Sequence, residues 1–113
     1  MIGIDVVSIS RLGSAIDREP DLVGRIFTLR EQSHCRNKPD GVASLAGILA
    51  AKEATMKALG LSSLPAWARR IEISHDGRGA PLARCAAGEV QLSISHDGGV
   101  AAAVAIRSPE VTR

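Results

Sequence analysis

The chain has 113 residues, a net charge of +2, one Trp, one Phe and no Tyr. That is a single domain over residues 1–113, with a core that must be built from Leu, Ile, Val and Ala. The near-neutral charge excludes a nucleic-acid-binding profile, and with no long apolar run and no signal-type organisation at the N-terminus, neither a membrane span nor a secretory leader is expected.

Met1–Ile9 is β-branched and apolar and reads as a strand buried on both faces apart from Asp5. Asp is depleted in strands, so Asp5 points to a functional carboxylate in need of a partner. Ser8 or Ser10 caps a helix running to about Glu19, which Pro20 ends. Leu12, Ala15 and Ile16 face inward. Arg11 and Arg18 share the other side and Arg25 continues the series, forming either a solvated face or a ridge for an acidic protein surface.

Thr28 and Glu31 have capping-box spacing, opening a helix to about Arg36. Cys35, in that helix, and Cys85 stand apart with no metal spacing. They read as buried small side chains in a reducing compartment, so the expected location is cytoplasmic. After the Lys38–Gly41 loop, Val42–Gly60 has the pattern of a central helix, with Leu45, Ile48, Leu49, Lys52, Met56 and Leu59 along one stripe. Lys52 falls inside that stripe, where a charge must be paired or reach a ligand. Glu53 and Lys57 form either an ordinary i,i+4 surface pair or part of an anion site.

Ile71–Ser74 reads as a strand. The letters Ile-Ser-His-Asp-Gly then occur twice, at 73–77 and 94–98, each as strand–turn–strand with His-Asp at the turn. A helical phosphohydrolase of the His-Asp type is excluded by that β context, and His75-Asp76 reads as turn chemistry. Val100–Ile106 is a buried strand, and Arg107–Arg113 is expected to fray.

Gly3-Ile4-Asp5, Arg25-Ile26-Phe27-Thr28 with Glu31, Ala50-Ala51-Lys52-Glu53-Ala54 with Lys57-Ala58-Leu59-Gly60, Gly79-Ala80-Pro81, and Ser93-Ile94-Ser95-His96 occur in that order. Together they resemble the holo-acyl-carrier-protein synthase family, the short single-domain 4′-phosphopantetheinyl transferases. The resemblance implies an α+β fold, with a small antiparallel sheet packed on a long central helix. It also implies a homotrimer whose active sites lie between subunits, which suits the thin, Ala-rich core. The implied reaction moves the phosphopantetheine arm of coenzyme A to a serine of an acidic acyl carrier protein. It uses Mg²⁺, with replacement by Mn²⁺ left open.

By resemblance, Asp5 and Glu53 hold the metal, and Lys57 and Lys52 reach the phosphates. Glu53 is the base that takes the serine's proton, with Asp97 as its competitor or as a further metal ligand. Ser95 and His96 lie at the coenzyme's phosphates, His96 being the lesser candidate for base, and Gly79, Ala80 and Pro81 line the adenine pocket. Arg11, Arg18 and Arg25 dock the carrier. Two departures stand out. Ile48 occupies a position where the family usually has a basic residue, and the segment between Pro81 and Val90 is too short for the family's helix. The rival from another class is a non-catalytic module that binds the carrier or coenzyme A. Asp5, Glu53, Lys57 and His96 together favour the enzyme.

Overall fold

The computed structural model describes residues 1–107; of the tail expected to fray, Arg107 ends a strand and 108–113 lie outside the described residues. In chain order the elements are β1 (Ile2–Ser8), α1 (Ile9–Arg18), α2 (Leu22–Ile26), α3 (Leu29–Arg36), α4 (Gly41–Leu59), α5 (Leu64–Trp67), β2 (Glu72–His75), β3 (Pro81–Cys85), β4 (Gly88–Asp97) and β5 (Val100–Arg107). The expected α+β architecture holds. Five antiparallel strands in the order β1-β5-β4-β3-β2 form one sheet, and α4 lies across its inner face.

The local signals act as anticipated at most boundaries. Ser8 caps α1 through its hydroxyl, and Thr28 and Glu31 close a full capping box on α3; Asp40, read from the sequence only as part of a loop, caps α4. Gly60 ends α4 in the left-handed conformation at φ 69°. The 82–89 segment holds a tight β3–β4 hairpin and no helix, in keeping with its shortness. The short helices α2 and α5 had no counterpart in the pattern reading, because each is a single turn held by its surroundings.

Two expectations are corrected. β1 is not buried on both faces: Gly3, Asp5 and Val7 face α4, whereas Ile2, Ile4 and Val6 are more than half exposed. An edge strand has one neighbour, and a single layer of helix covers only one side of it. The second His-Asp is not at a turn: His96 and Asp97 still belong to β4, and Gly98-Gly99 alone make the connection, with φ of 57° and 80°. Positive φ at both central positions is what a two-residue hairpin twisted like its strands demands.

Where α4 packs on the sheet, much of the core is made of small side chains. Ala46, Ala50, Ala51, Ala54 and Ala58 of α4 and Ala101 and Ala105 of β5 are fully buried, while Leu45, Leu49 and Leu59 are only half-buried. A Cβ at Gly3 would overlap the carbonyl of Ala54, so strand and helix backbones touch there. That contact sets the separation between β1 and α4.

Candidate functional site

Asp5 projects from the inner face of β1, two residues from Gly3 and therefore on the same side of the strand. Glu53 and Lys57 lie one turn apart on α4. The close approach at Gly3 brings the three together. Lys57 Nζ is 3.2 Å from Asp5 Oδ1 and donates to the Ile4 carbonyl at 2.8 Å. The Glu53 carboxyl is pushed up to about 7, first by burial and then by its hydrogen-bonding and charge contact with Asp5, against the opposing pull of Lys57. Met56, Leu61 and Leu64 wall the same hollow.

Asp5 Oδ2 is buried and has no donor. Two ionised carboxylates have no proton to share, so the pair needs either a proton on Glu53 or a cation between the two. Among the described residues no group of three or more His, Cys, Asp or Glu could hold a metal. Two carboxylates with an orphaned oxygen fit Mg²⁺, which takes one or two carboxylates and completes its shell with water and phosphate oxygens. They do not fit a metal that needs an all-protein cage.

A second hollow lies beside the first half of α4. Ala43, Ser44, Gly47 and Ile48 form its helical wall, and Gly79, Pro81, Ile94 and His96 face them together with His34 and His75. Gly79, Pro81 and His96 are thus brought together as anticipated. Ala80 faces the adjacent surface, with its N–H 2.9 Å from Asp76 Oδ1. Asp76 also accepts from Arg78 N, so its role is to shape the turn.

Strand alternation divides the residues near the end of β4. His96 and Ile94 face the helix side, while Ser95 and Asp97 face the outer side, so they do not share the hollow with His96. Neither hollow contains the other's residues. In a single protomer Asp5, Glu53 and Lys57 do not meet His96 or Asp97.

Lys52 requires a correction. It is fully buried, and its ammonium lies 2.8 Å from Glu31 Oε1 and donates to the carbonyls of Ala68 and Ile71 at 2.5 and 2.6 Å. It reaches no phosphate site. Burial lowers its pKa, and Glu31 opposes that shift. Glu31 is as buried as its partner, accepts from Thr28 N and Ile73 N, and so ties α3, α4 and β2 to one point. Only half of that role was visible in the capping-box spacing. The cost of burying Lys52 called for an acid, but nothing in the sequence said which one.

Arg11 and Arg18 are exposed on the solvent side of α1, and Arg25 is exposed and paired with Glu19 at 2.9 Å. His34 and His75 were not anticipated at a site. His75 belongs to the first Ile-Ser-His-Asp-Gly copy, which reads as turn chemistry, and His34 carries no signal beyond being one of the chain's three histidines.

A family model described as the 4′-phosphopantetheinyl transferase superfamily matches residues 1–105. The chain is 43% identical over 115 residues to the holo-[acyl-carrier-protein] synthase of Chlorobaculum tepidum, an alignment covering 96% of this chain and 97% of the relative. Its structure is similar to that of Helicobacter pylori holo-[acyl-carrier-protein] synthase solved in complex with coenzyme A. There the TM-score is 0.81 and the identity 34%, over 96% of this chain and 100% of the other. The corresponding Bacillus anthracis enzyme, in complex with CoA (3′,5′-ADP), gives a TM-score of 0.80 at 31% identity, over 92% and 91% of the two chains.

Proposed function

The chain belongs to the 4′-phosphopantetheinyl transferase superfamily and is an enzyme of the holo-[acyl-carrier-protein] synthase kind, and from that premise we propose how its own residues carry out the transfer. The reaction moves the 4′-phosphopantetheine arm of coenzyme A to a serine of an apo acyl carrier protein and releases adenosine 3′,5′-bisphosphate. The observation that carries the residue assignment is the convergence of Asp5 and Glu53, with one buried oxygen lacking any donor.

Asp5 and Glu53 would hold Mg²⁺. When bound, the cation neutralises the coenzyme's pyrophosphate and polarises the bond to be broken. Lys57 steadies Asp5 in the free enzyme and, being more than half exposed, can swing to the transferring phosphoryl group and offset its developing charge. Glu53, kept ionised by the cation it would hold, takes the proton of the attacking serine, directly or through a water on that cation. The serine oxygen forms the new bond to phosphorus, and the pyrophosphate bond breaks toward the adenosine product.

Asp97 is the competing base, and because it faces away from Glu53 it acts only from a neighbouring subunit. His96, Gly79 and Pro81 hold the nucleotide end of the coenzyme, also across a subunit boundary. A homotrimer is supported by two features. The Asp5–Glu53 hollow lacks the residues of the other hollow. The outer face of β1 and β5 is apolar, with Ile2, Ile4, Val6, Val100 and Ile106 exposed on it. The acidic carrier docks on Arg11 and Arg18, with Arg25 at the edge. Among the described residues no helix is long and apolar enough to cross a membrane, and a cytoplasmic location suits a carrier-protein substrate.

The test is to incubate the protein with apo carrier protein, coenzyme A and Mg²⁺ and to weigh the carrier. The expected result is a mass gain of one phosphopantetheine arm that requires the divalent ion. Carrier of unchanged mass at every metal concentration would return the chain to a binding role.

A further inference from the structure

The connection from Gly60 to Ile71 carries α4 into β2, and α5 is its single turn of helix. Leu61 and Leu64 of this connection wall the Asp5–Glu53 hollow. Leu64 also lines a groove on the other side, together with Ala68 and with Leu22 and Ile26 of α2. The turn therefore stands as a partition between the transfer hollow and that groove.

Local forces do not account for where the partition stands. Four residues of helix are too few to hold themselves in water, and the turn has no side-chain cap. Its entry is strained: Ser63, at φ 72°, is the one non-glycine residue with positive φ among the described residues. Such a conformation persists only where the surroundings impose it. Leu61, Leu64 and Trp67 pack on the core, but apolar contact is non-directional and does not fix the rotation of a single turn.

Directed contacts from α4 do fix it. At the start of the connection the Leu61 N–H donates to the Met56 carbonyl at 2.8 Å. At its far end Lys52 donates to the carbonyl of Ala68, which caps α5, and to that of Ile71, just before β2. Glu31 takes the remaining N–H of the ammonium. A buried ion pair is weak evidence for stability, since apolar residues of similar volume often serve as well. An apolar pair, however, cannot hold two carbonyls.

We infer that Lys52 is a positioning residue of the transfer site: through the Ala68 and Ile71 carbonyls it sets α5, and with it Leu64, against the Asp5–Glu53 hollow. This rests on the transfer reaction proposed above. Lys52 touches neither substrate in that reading, because its ammonium is spent on Glu31 and the two carbonyls. Leu64 borders the hollow where the serine and the transferring phosphoryl group meet. A displaced α5 opens that hollow to water and loosens the fit around the reacting atoms, and a misplacement of about 1 Å can cost about a hundredfold in rate. The nucleotide end of coenzyme A is assigned to the other hollow, which α5 does not line. The signature is a loss in kcat with the KM for coenzyme A kept.

The chain's single Trp, Trp67, lies in α5 and reports on it directly. The experiment compares the wild-type chain with the Lys52→Met/Glu31→Leu double variant, both well below their melting temperatures. It reads transfer to an apo carrier with coenzyme A and Mg²⁺, and acrylamide quenching of Trp67. The double variant is expected to lose about tenfold or more in kcat with its KM for coenzyme A within about twofold of wild type. Its Trp67 should be quenched more readily. Leu64→Ala, which leaves the ion pair intact, should lower kcat by itself and add little in the double-variant background, since both changes disturb one wall. If the double variant does not fold, Lys52→Met with Glu31→Gln, which keeps an oxygen for the Ile73 N–H, takes its place. A folded double variant with wild-type kcat or wild-type quenching, or a Leu64→Ala loss that multiplies in full with that of the double variant, would overturn the assignment. Wild-type protein that adds no mass to the carrier sinks the transfer reading and this inference with it, whereas wild-type transfer beside an unchanged kcat in the double variant sinks the inference alone.

Discussion

Gly3 of the first strand lies directly against the carbonyl of Ala54 in the long helix, with no room between them for a methyl group. Asp5 and Glu53 each stand within two residues of that contact, so the separation of the two carboxylates is set by a residue that bears no side chain. Gly3→Ala should push β1 off α4. Overpacking of this kind costs about 1–3 kcal/mol, visible in a denaturation midpoint. The transfer rate should fall further than the unfolded fraction explains, with a raised Mg²⁺ requirement. A variant that loses stability but keeps its Mg²⁺ dependence would uncouple the contact from the site.

The buried Lys52–Glu31 pair separates structure from chemistry. Lys52→Met or Glu31→Leu alone leaves a buried charge without its partner and should cost about 3–5 kcal/mol. The double variant should recover much of that loss, since neither charge then remains. Its KM for coenzyme A should stay near wild type, because the Lys52 ammonium is consumed by Glu31 and two carbonyls. A many-fold rise in that KM in the folded double variant would restore Lys52 to the phosphate site.

Glu53 makes metal-free stability depend on pH. Its folded pKa, about 7, lies above the ordinary carboxyl value of 4.5, so the folded state binds more protons between those values. Stability therefore falls as pH rises through that window. Without divalent ions the melting temperature should drop from pH 5 to pH 8, and Glu53→Gln should flatten the slope. Mg²⁺ binding must displace the proton, so its affinity should strengthen with pH over the same range. Melting curves with and without Mg²⁺ check both signs.

The apolar outer face predicts an assembly. Ile4 is more than half exposed beside Val104 of the neighbouring strand, and Ile4→Asp should shift the protein from the proposed trimer to monomer in sedimentation. Transfer activity should vanish with the assembly on the proposed reading, in which the two hollows form one site across subunits. A monomeric variant with full activity would place the whole site within one chain.

The basic side of α1 should serve the carrier alone. Reversing Arg11 and Arg18 to Glu should raise the carrier's KM about tenfold or more, a change of 1.4 kcal/mol per factor of ten. Coenzyme A binding should stay as it was. Equal losses for both substrates would assign the two arginines to the shared site.

Read from the amino acids alone, the β1 strand, the capped α3 and α4 helices, the Gly60 stop and the glycine hairpins follow from signals that act over a few residues, and they emerge close to where they were expected. Asp5, Glu53 and Lys57 were legible because charges are out of place in apolar segments and must be satisfied somewhere. What satisfies them was not legible. Glu31 reaches Lys52 and Asp5 reaches Lys57 across 21 and 52 residues of chain, and the stacked rings of His34 and His75 join α3 to β2. Pairings at that range depend on how closely elements pack and which way each strand face turns. Those were decided only when Gly3 let a strand settle against a helix backbone and left its other side open.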